Sequence, residues 1–144
     1  MSNTFNRFIL EDGWRNAVVM VTGLLDTSDA ALEPFIDLAE LTNNDVMAGK
    51  LVGLRVDRVQ YSMSAGTGLE VQLKWEMSAA VGGDVLITAV AGQGHDKYKK
   101  NGGLIPPMKS AGYIGNIHLY TTGFAKSAPP TGFTVTAELV KLYR

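Results

Sequence analysis

Nine consecutive residues, Leu69-Glu70-Val71-Gln72-Leu73-Lys74-Trp75-Glu76-Met77, alternate apolar and polar without a fault. Successive side chains of an extended chain point to opposite faces, so this pattern gives a strand one dry face and one wet face. A helix with the same period would have no coherent apolar stripe. Phe133–Leu139 repeats the pattern as Phe-Thr-Val-Thr-Ala-Glu-Leu. Such strands need further strands and a second layer to cover their apolar sides.

Other segments supply them. In Leu54–Met63 the apolar parity slips: Leu54 and Val56 share one face, whereas Val59, Tyr61 and Met63 take the other. The polar pair Asp57-Arg58 marks the slip, and one extra residue in a β-bulge restores a single apolar face. Asn16–Gly23 and Val85–Val90 are apolar on both parities, as expected of strands covered on both sides. Ile117–Thr121 is a further strand candidate, and Ser64–Gly68, Gly82-Gly83 and Gly92–Gly103 break the runs at turn-like places. Short strands separated by turn signals favour an all-β fold, an antiparallel β-sandwich or a jelly-roll-like barrel with long loops.

Two segments resist a single reading. Leu32, Phe35, Ile36 and Ala39 fit helical spacing, and Glu33-Pro34 suits the opening of a helix. The rival is a strand over Pro34–Ala39. Residues 92–112 read as one long loop, the kind that carries function in a compact domain. With 144 residues the chain fits one domain, taken as residues 11–144, and residues 1–10 as a loosely held N-terminal arm. The polar start resembles no signal peptide, and no apolar run nears the roughly 20 residues of a membrane-spanning helix. The expectation is a soluble chain made in the cytoplasm.

The formal charge of −1 conceals a division. Eight acids between Glu11 and Asp45 stand against Arg15 alone, while Lys97, Lys99, Lys100, Lys109 and Lys126 stand against Asp96. Opposed patches of this kind steer and register association between copies. With no cysteine, thiolate metal sites, disulfides and cysteine nucleophiles are excluded.

Motifs for chemistry are thin. His95, beside Asp96 in a glycine-rich stretch, reads as a solvated loop histidine, and His118 belongs on the wetter face of its strand. Neither forms an HExxH or three-histidine arrangement. Asp26, Asp29, Glu33 and Asp37 lack the spacing of a calcium loop. Lys97, Tyr98, Lys99 and Lys100 follow glycines but not in a phosphate-loop pattern, and a single aromatic is a poor stacking platform for nucleic acid. Trp75 lies on the apolar parity and belongs in the core, and Trp14 is expected to plug one end of the fold. No enzyme activity, metal, cofactor, membrane or direct nucleic-acid contact is expected.

The order of segments carries a resemblance. Gly13–Gly23, Leu25–Asp29, Leu54–Met63, Leu69–Glu76, Gly102-Gly103-Leu104, Gly115–Gly123 and Phe133–Lys141 together resemble small β-rich virion proteins of tailed bacteriophages. The likeness spans residues 13–144 and consists of strand patterns and turn glycines. It implies a capsid decoration or cement protein on the virion surface, assembled in the host cytoplasm, bound in many copies to the major capsid protein and self-associating, in trimers for example. It also tips Phe35–Leu41 toward a strand. Under this expectation the candidate partner-binding residues are Arg7 and Phe8 in the arm, Trp14, and Lys97, Tyr98, Lys99 and Lys100. A head–tail connector, a tail protein or a carbohydrate- or receptor-binding module are the alternatives.

Overall fold

Nine strands form among the described residues: β1 (Thr4–Asp12), β2 (Asn16–Leu25), β3 (Glu33–Ile36), β4 (Leu51–Met63), β5 (Glu70–Met77), β6 (Val85–Ala91), β7 (Gln93–Lys97), β8 (Tyr113–Thr122) and β9 (Thr131–Tyr143). The computed structural model describes residues 3–26, 28–41, 50–63, 69–78, 82–123 and 131–144. The strands make two antiparallel sheets, ordered β1-β2-β9-β4-β7 and β3-β8-β5-β6. From β2 onward they pair from the outside inward, β2 with β9, β3 with β8, β4 with β7 and β5 with β6, the pairs falling alternately in one sheet and the other. This is the wrapping order of a jelly roll. The sheets stay open at their edges, so the expected sandwich is found and a closed barrel is not.

The alternating sequences form the two faces as expected. In β5 the inward residues Val71, Leu73, Trp75 and Met77 are buried and the intervening polar residues face out. In β9, Phe133, Val135, Ala137 and Leu139 are buried in the same way. They meet Val19, Val21, Phe35, Ile117 and Leu119 in one apolar layer between the sheets. Burying a side chain of this size contributes about 1.5–3 kcal/mol each. The slip at Asp57 is a bulge, because the β4–β9 register shifts between Val56 and Arg58.

Gly92 turns the corner between the sheets. It alone separates β6, in the four-stranded sheet, from β7, in the five-stranded one, with φ +78°. An L side chain rarely adopts that conformation.

Several expectations are corrected. The N-terminal arm is not loose: Thr4–Asp12 pair along β2, with one register shift near Leu10, and Phe5 packs tilted on Phe133 at 6.3 Å between ring centroids. Strand pairing with β2 supplies the order that the mixed polar sequence does not advertise. Residues 92–112 are not one loop, since they contain β7, a 3₁₀ turn at Lys99–Asn101 and a bridge from Leu104 to Val56. Glu33–Ile36 is strand and Leu38–Glu40 a 3₁₀ turn, so the strand is shorter than Phe35–Leu41 and no α-helix opens at Pro34.

Neither all-apolar run is fully covered on both sides. β6 is a sheet edge with Val85 and Leu86 exposed, and the outward residues Val18 and Met20 of β2 are half-buried. Trp14 plugs nothing. It stands 57% exposed in the β1–β2 turn, where its carbonyl accepts the Tyr143 hydroxyl. The expected break at Ser64–Gly68 and the charges of Asp45 and Lys126 fall outside the described residues.

Candidate functional site

β1 is the ninth described strand, added outside the eight-strand wrap, and one edge of the larger sheet has no neighbouring strand among the described residues. Along it Phe8, Ile9 and Leu10 are 46%, 40% and 56% exposed, and Trp14 continues the apolar surface into the turn. The register shift between Ile9 and Glu11 makes Leu10 the extra residue of a bulge. An edge with exposed apolar side chains is a template for pairing or docking, which proteins usually blunt with charge. Arg7 supplies a charge here, but it is tied to Glu40 by an ion pair.

The lysine segment lies on the opposite edge of the same sheet. β7 places Lys97 four strand spacings away from β1, a separation of about 19 Å at ordinary strand spacing. The Asp57 bulge fixes this segment: its carbonyl accepts the Tyr98 amide at 2.7 Å, and its carboxylate binds Arg55 Nε at 2.8 Å. The Tyr98 ring is half-buried, with its hydroxyl 3.0 Å from Thr88 Oγ1. Tyr98 therefore anchors the segment to β6 and packs partly against the core. Lys97, Lys99 and Lys100 are exposed.

Between the two edges, the outer face of the sheet holds a concavity of about 340 Å³ walled by Glu11, Arg58, Lys97, Lys99 and Glu138 among others. Arg58 Nη1 and Glu138 Oε2 form an ion pair across it at 3.2 Å. Of the predicted partner-binding residues, the structure gathers Arg7, Phe8 and Trp14 along one edge and Lys97, Lys99 and Lys100 at the other. The groove joins their ends through Glu11.

A second polar group, absent from the sequence reading, lies on the outer face of the smaller sheet. Asp84, in the turn after Gly82-Gly83, receives a hydrogen bond from the Tyr120 hydroxyl at 2.6 Å, and its Oδ2 lies 2.8 Å from His118 Nδ1. The Met77 amide donates to its other oxygen at 3.2 Å. On the far side of the ring, His118 Nε2 lies 3.0 Å from Glu76 Oε1, which also accepts from Asn116 Nδ2. Lys74 sits 4.1 Å from the centroid of the Tyr120 ring.

Burial pushes the Asp84 carboxyl up, but the bonds from Tyr120, His118 and the Met77 amide outweigh it and hold the carboxyl below its ordinary range. Burial and the neighbouring Asp84 and Glu76 charges push the Tyr120 phenol up. His118 faces outward as expected, yet its side chain is only 13% exposed. The outward parity of Lys74, Glu76, Asn116, His118 and Tyr120 was readable, but the strand order that makes them neighbours was not.

His95 is exposed on β7, a strand and not a loop. The acids of the β2–β3 region are spread out: Asp29 accepts from the Thr121 hydroxyl, and Glu33 begins β3. Among the described residues no group of three or more His, Asp or Glu side chains is placed to hold a metal ion, and no helix is long and apolar enough to cross a membrane.

Comparison with protein families, with characterised proteins and with solved structures finds no match.

Proposed function

We propose that this chain is a non-enzymatic structural protein of a tailed-bacteriophage virion, a decoration or cement protein that binds the major capsid protein in many copies and stabilises the head. The observation that carries the reading is the open β1 edge, with Phe8, Ile9, Leu10 and Trp14 exposed along a strand outside the eight-strand wrap. A cement protein works through extended contacts with a lattice, and an unpaired strand edge flanked by apolar side chains suits that task by strand addition. The exposed lysines at the other edge of the sheet supply a second point of attachment, one that acts through charge. The resemblance in segment order is what favours a virion setting for such a surface, since a jelly-roll fold alone serves many functions.

Purified shells reconstituted with and without the protein test this reading. Bound protein, counted by mass spectrometry, is expected in many copies per shell, with a raised shell melting temperature. Leu10→Lys is expected to reduce occupancy strongly, and charge reversal at Lys97, Lys99 and Lys100 to reduce it in a salt-dependent way. Shells of unchanged stability with no protein retained overturn the cement role. A low copy number confined to the neck or tail assigns the chain to a connector or tail part instead.

A further inference from the structure

Two features at opposite ends of the sandwich pair exposed apolar side chains with charges of opposite sign. One is the turn between β2 and β3. Leu32 there has φ +57°, the one positive φ among the described non-glycine residues, and its side chain is 59% exposed. Bulky residues avoid that conformation, and an outlier held on a surface is a pointer to function. Glu33 follows it directly, and Asp26 lies in the same connection. Neither acid forms an ion pair among the described residues. The result is an exposed apolar side chain followed directly in the chain by a carboxylate, Glu33.

The other feature is a concavity of about 850 Å³ formed by Ile105–Ser110 and Arg144. Ile105 is 68% exposed at its lip, and Pro106, Pro107 and Met108 complete an apolar wall. Its charged lining residues are Lys109 and Arg144, with no acid, and neither forms an ion pair among the described residues. The strand β9 locates both features. Its first residue, Thr131, pairs with Leu25 at the end of β2, where the Leu32 turn begins, and Arg144 follows its last residue. Thirteen residues of strand separate the ends, roughly 40 Å.

We propose that the Leu32 turn of one copy docks in the Ile105–Arg144 concavity of a second copy. Leu32 enters against Ile105 and Met108, and Glu33 meets Lys109 and Arg144. Because the two surfaces differ and lie at opposite ends, the contact is heterologous. It produces a ring where the rotation between copies closes, and an open row where it does not. The contact needs no capsid, so it stands or falls separately from the virion reading.

Sedimentation of the isolated full-length chain across a concentration series tests it. The wild type is expected to grow in mass with concentration and to dissociate as salt is raised. Leu32→Gly removes the apolar side chain while easing the backbone, so it is expected to abolish association with no loss of melting temperature. Glu33→Lys and Lys109→Glu are each expected to weaken association by about tenfold or more. An equimolar mixture of the two regains it, because each reversed charge then meets its complement. A wild type that stays monomeric at millimolar concentration overturns the proposal, as does association indifferent to all three substitutions. If Lys109→Glu costs shell attachment while the free protein is monomeric, the concavity serves a capsid subunit, and the second copy is the wrong occupant.

Discussion

Asp84 reaches across from a turn to bind the ring of His118 on β8, with 2.8 Å between Oδ2 and Nδ1. The same oxygen accepts the Tyr120 hydroxyl, and the Asp84 side chain is 4% exposed. The carboxylate therefore ties the turn before β6 to a strand that is not its neighbour in the sheet. Among the described strands β6 is an edge strand with one partner, β5, so this clasp is a second restraint on its start.

Asp84→Asn is expected to destabilise the fold by about 2–3 kcal/mol, the loss expected for hydrogen bonds to a charged, buried group. The pH dependence follows from the lowered carboxyl. A group whose folded value lies below its unfolded value, here near 3.8, contributes stability that is fully present above that unfolded value. The contribution drains away as pH falls through the lower folded value. Urea melts of wild type and Asp84→Asn should therefore differ most above about pH 4 and converge in stronger acid. A constant difference across that range would show that Asp84 acts through packing and not through its charge.

Tyr113→Phe is expected to be neutral or stabilising, by up to about 1–3 kcal/mol, because the hydroxyl is buried with no hydrogen-bond partner among the described residues. Burial also pushes its phenol up to about 12. The wild type should thus lose stability as pH rises from about 10, where the unfolded chain ionises, toward the folded value. In Tyr113→Phe that part of the alkaline loss should disappear. Thermal melts at neutral and alkaline pH would check both statements.

How far the sequence announces this architecture depends on whether a signal is local. Leu69–Met77 and Phe133–Leu139 carry their faces in their own alternation, and the Asp57 bulge shows as a parity slip within ten residues. β1 was unreadable because its order comes from β2 and from Phe133, more than a hundred residues away. β6 looked doubly covered because hydrophobicity records burial preference and not sheet position. Asp84, His118 and Glu76 assemble through cross-strand register, and no single segment contains it. The predicted attachment residues divided for the same reason. Arg7 and Lys97 are edge residues of one sheet, but the order of the three strands between them is a property of the whole wrap.

Lys141 provides a test by asymmetry. Its ammonium is fully buried and lies 2.5 Å from Asp12 Oδ1, with the Gly13 carbonyl as another acceptor. Asp12→Ala leaves a buried cation without its carboxylate and is expected to cost about 3–5 kcal/mol. Lys141→Met removes the charge and keeps the side-chain length, so the loss should be markedly smaller. Adding Lys141→Met to Asp12→Ala should recover part of the stability. A double-mutant cycle by urea denaturation measures the coupling, and equal costs for the two single variants would contradict it.

Gly23 and Phe133 are cross-strand partners, and the ring of Phe133 lies over the glycine. A Cβ at position 23 would stand 2.3 Å from Phe133 Cζ, far inside contact distance. The ring cannot retreat freely, because it is 4% exposed and packs on Phe5. Gly23→Ala is therefore expected to cost about 1–3 kcal/mol by overpacking, although alanine suits a strand better than glycine. Gly23→Ala combined with Phe133→Leu relieves the overlap and should be more stable than the sum of the single effects predicts. Because Phe5 leans on the same ring, the single variant should also loosen the start of β1, seen as faster amide exchange at Phe5 and Asn6. Exchange that is unchanged at those amides would mean that β1 is held by its pairing with β2 alone.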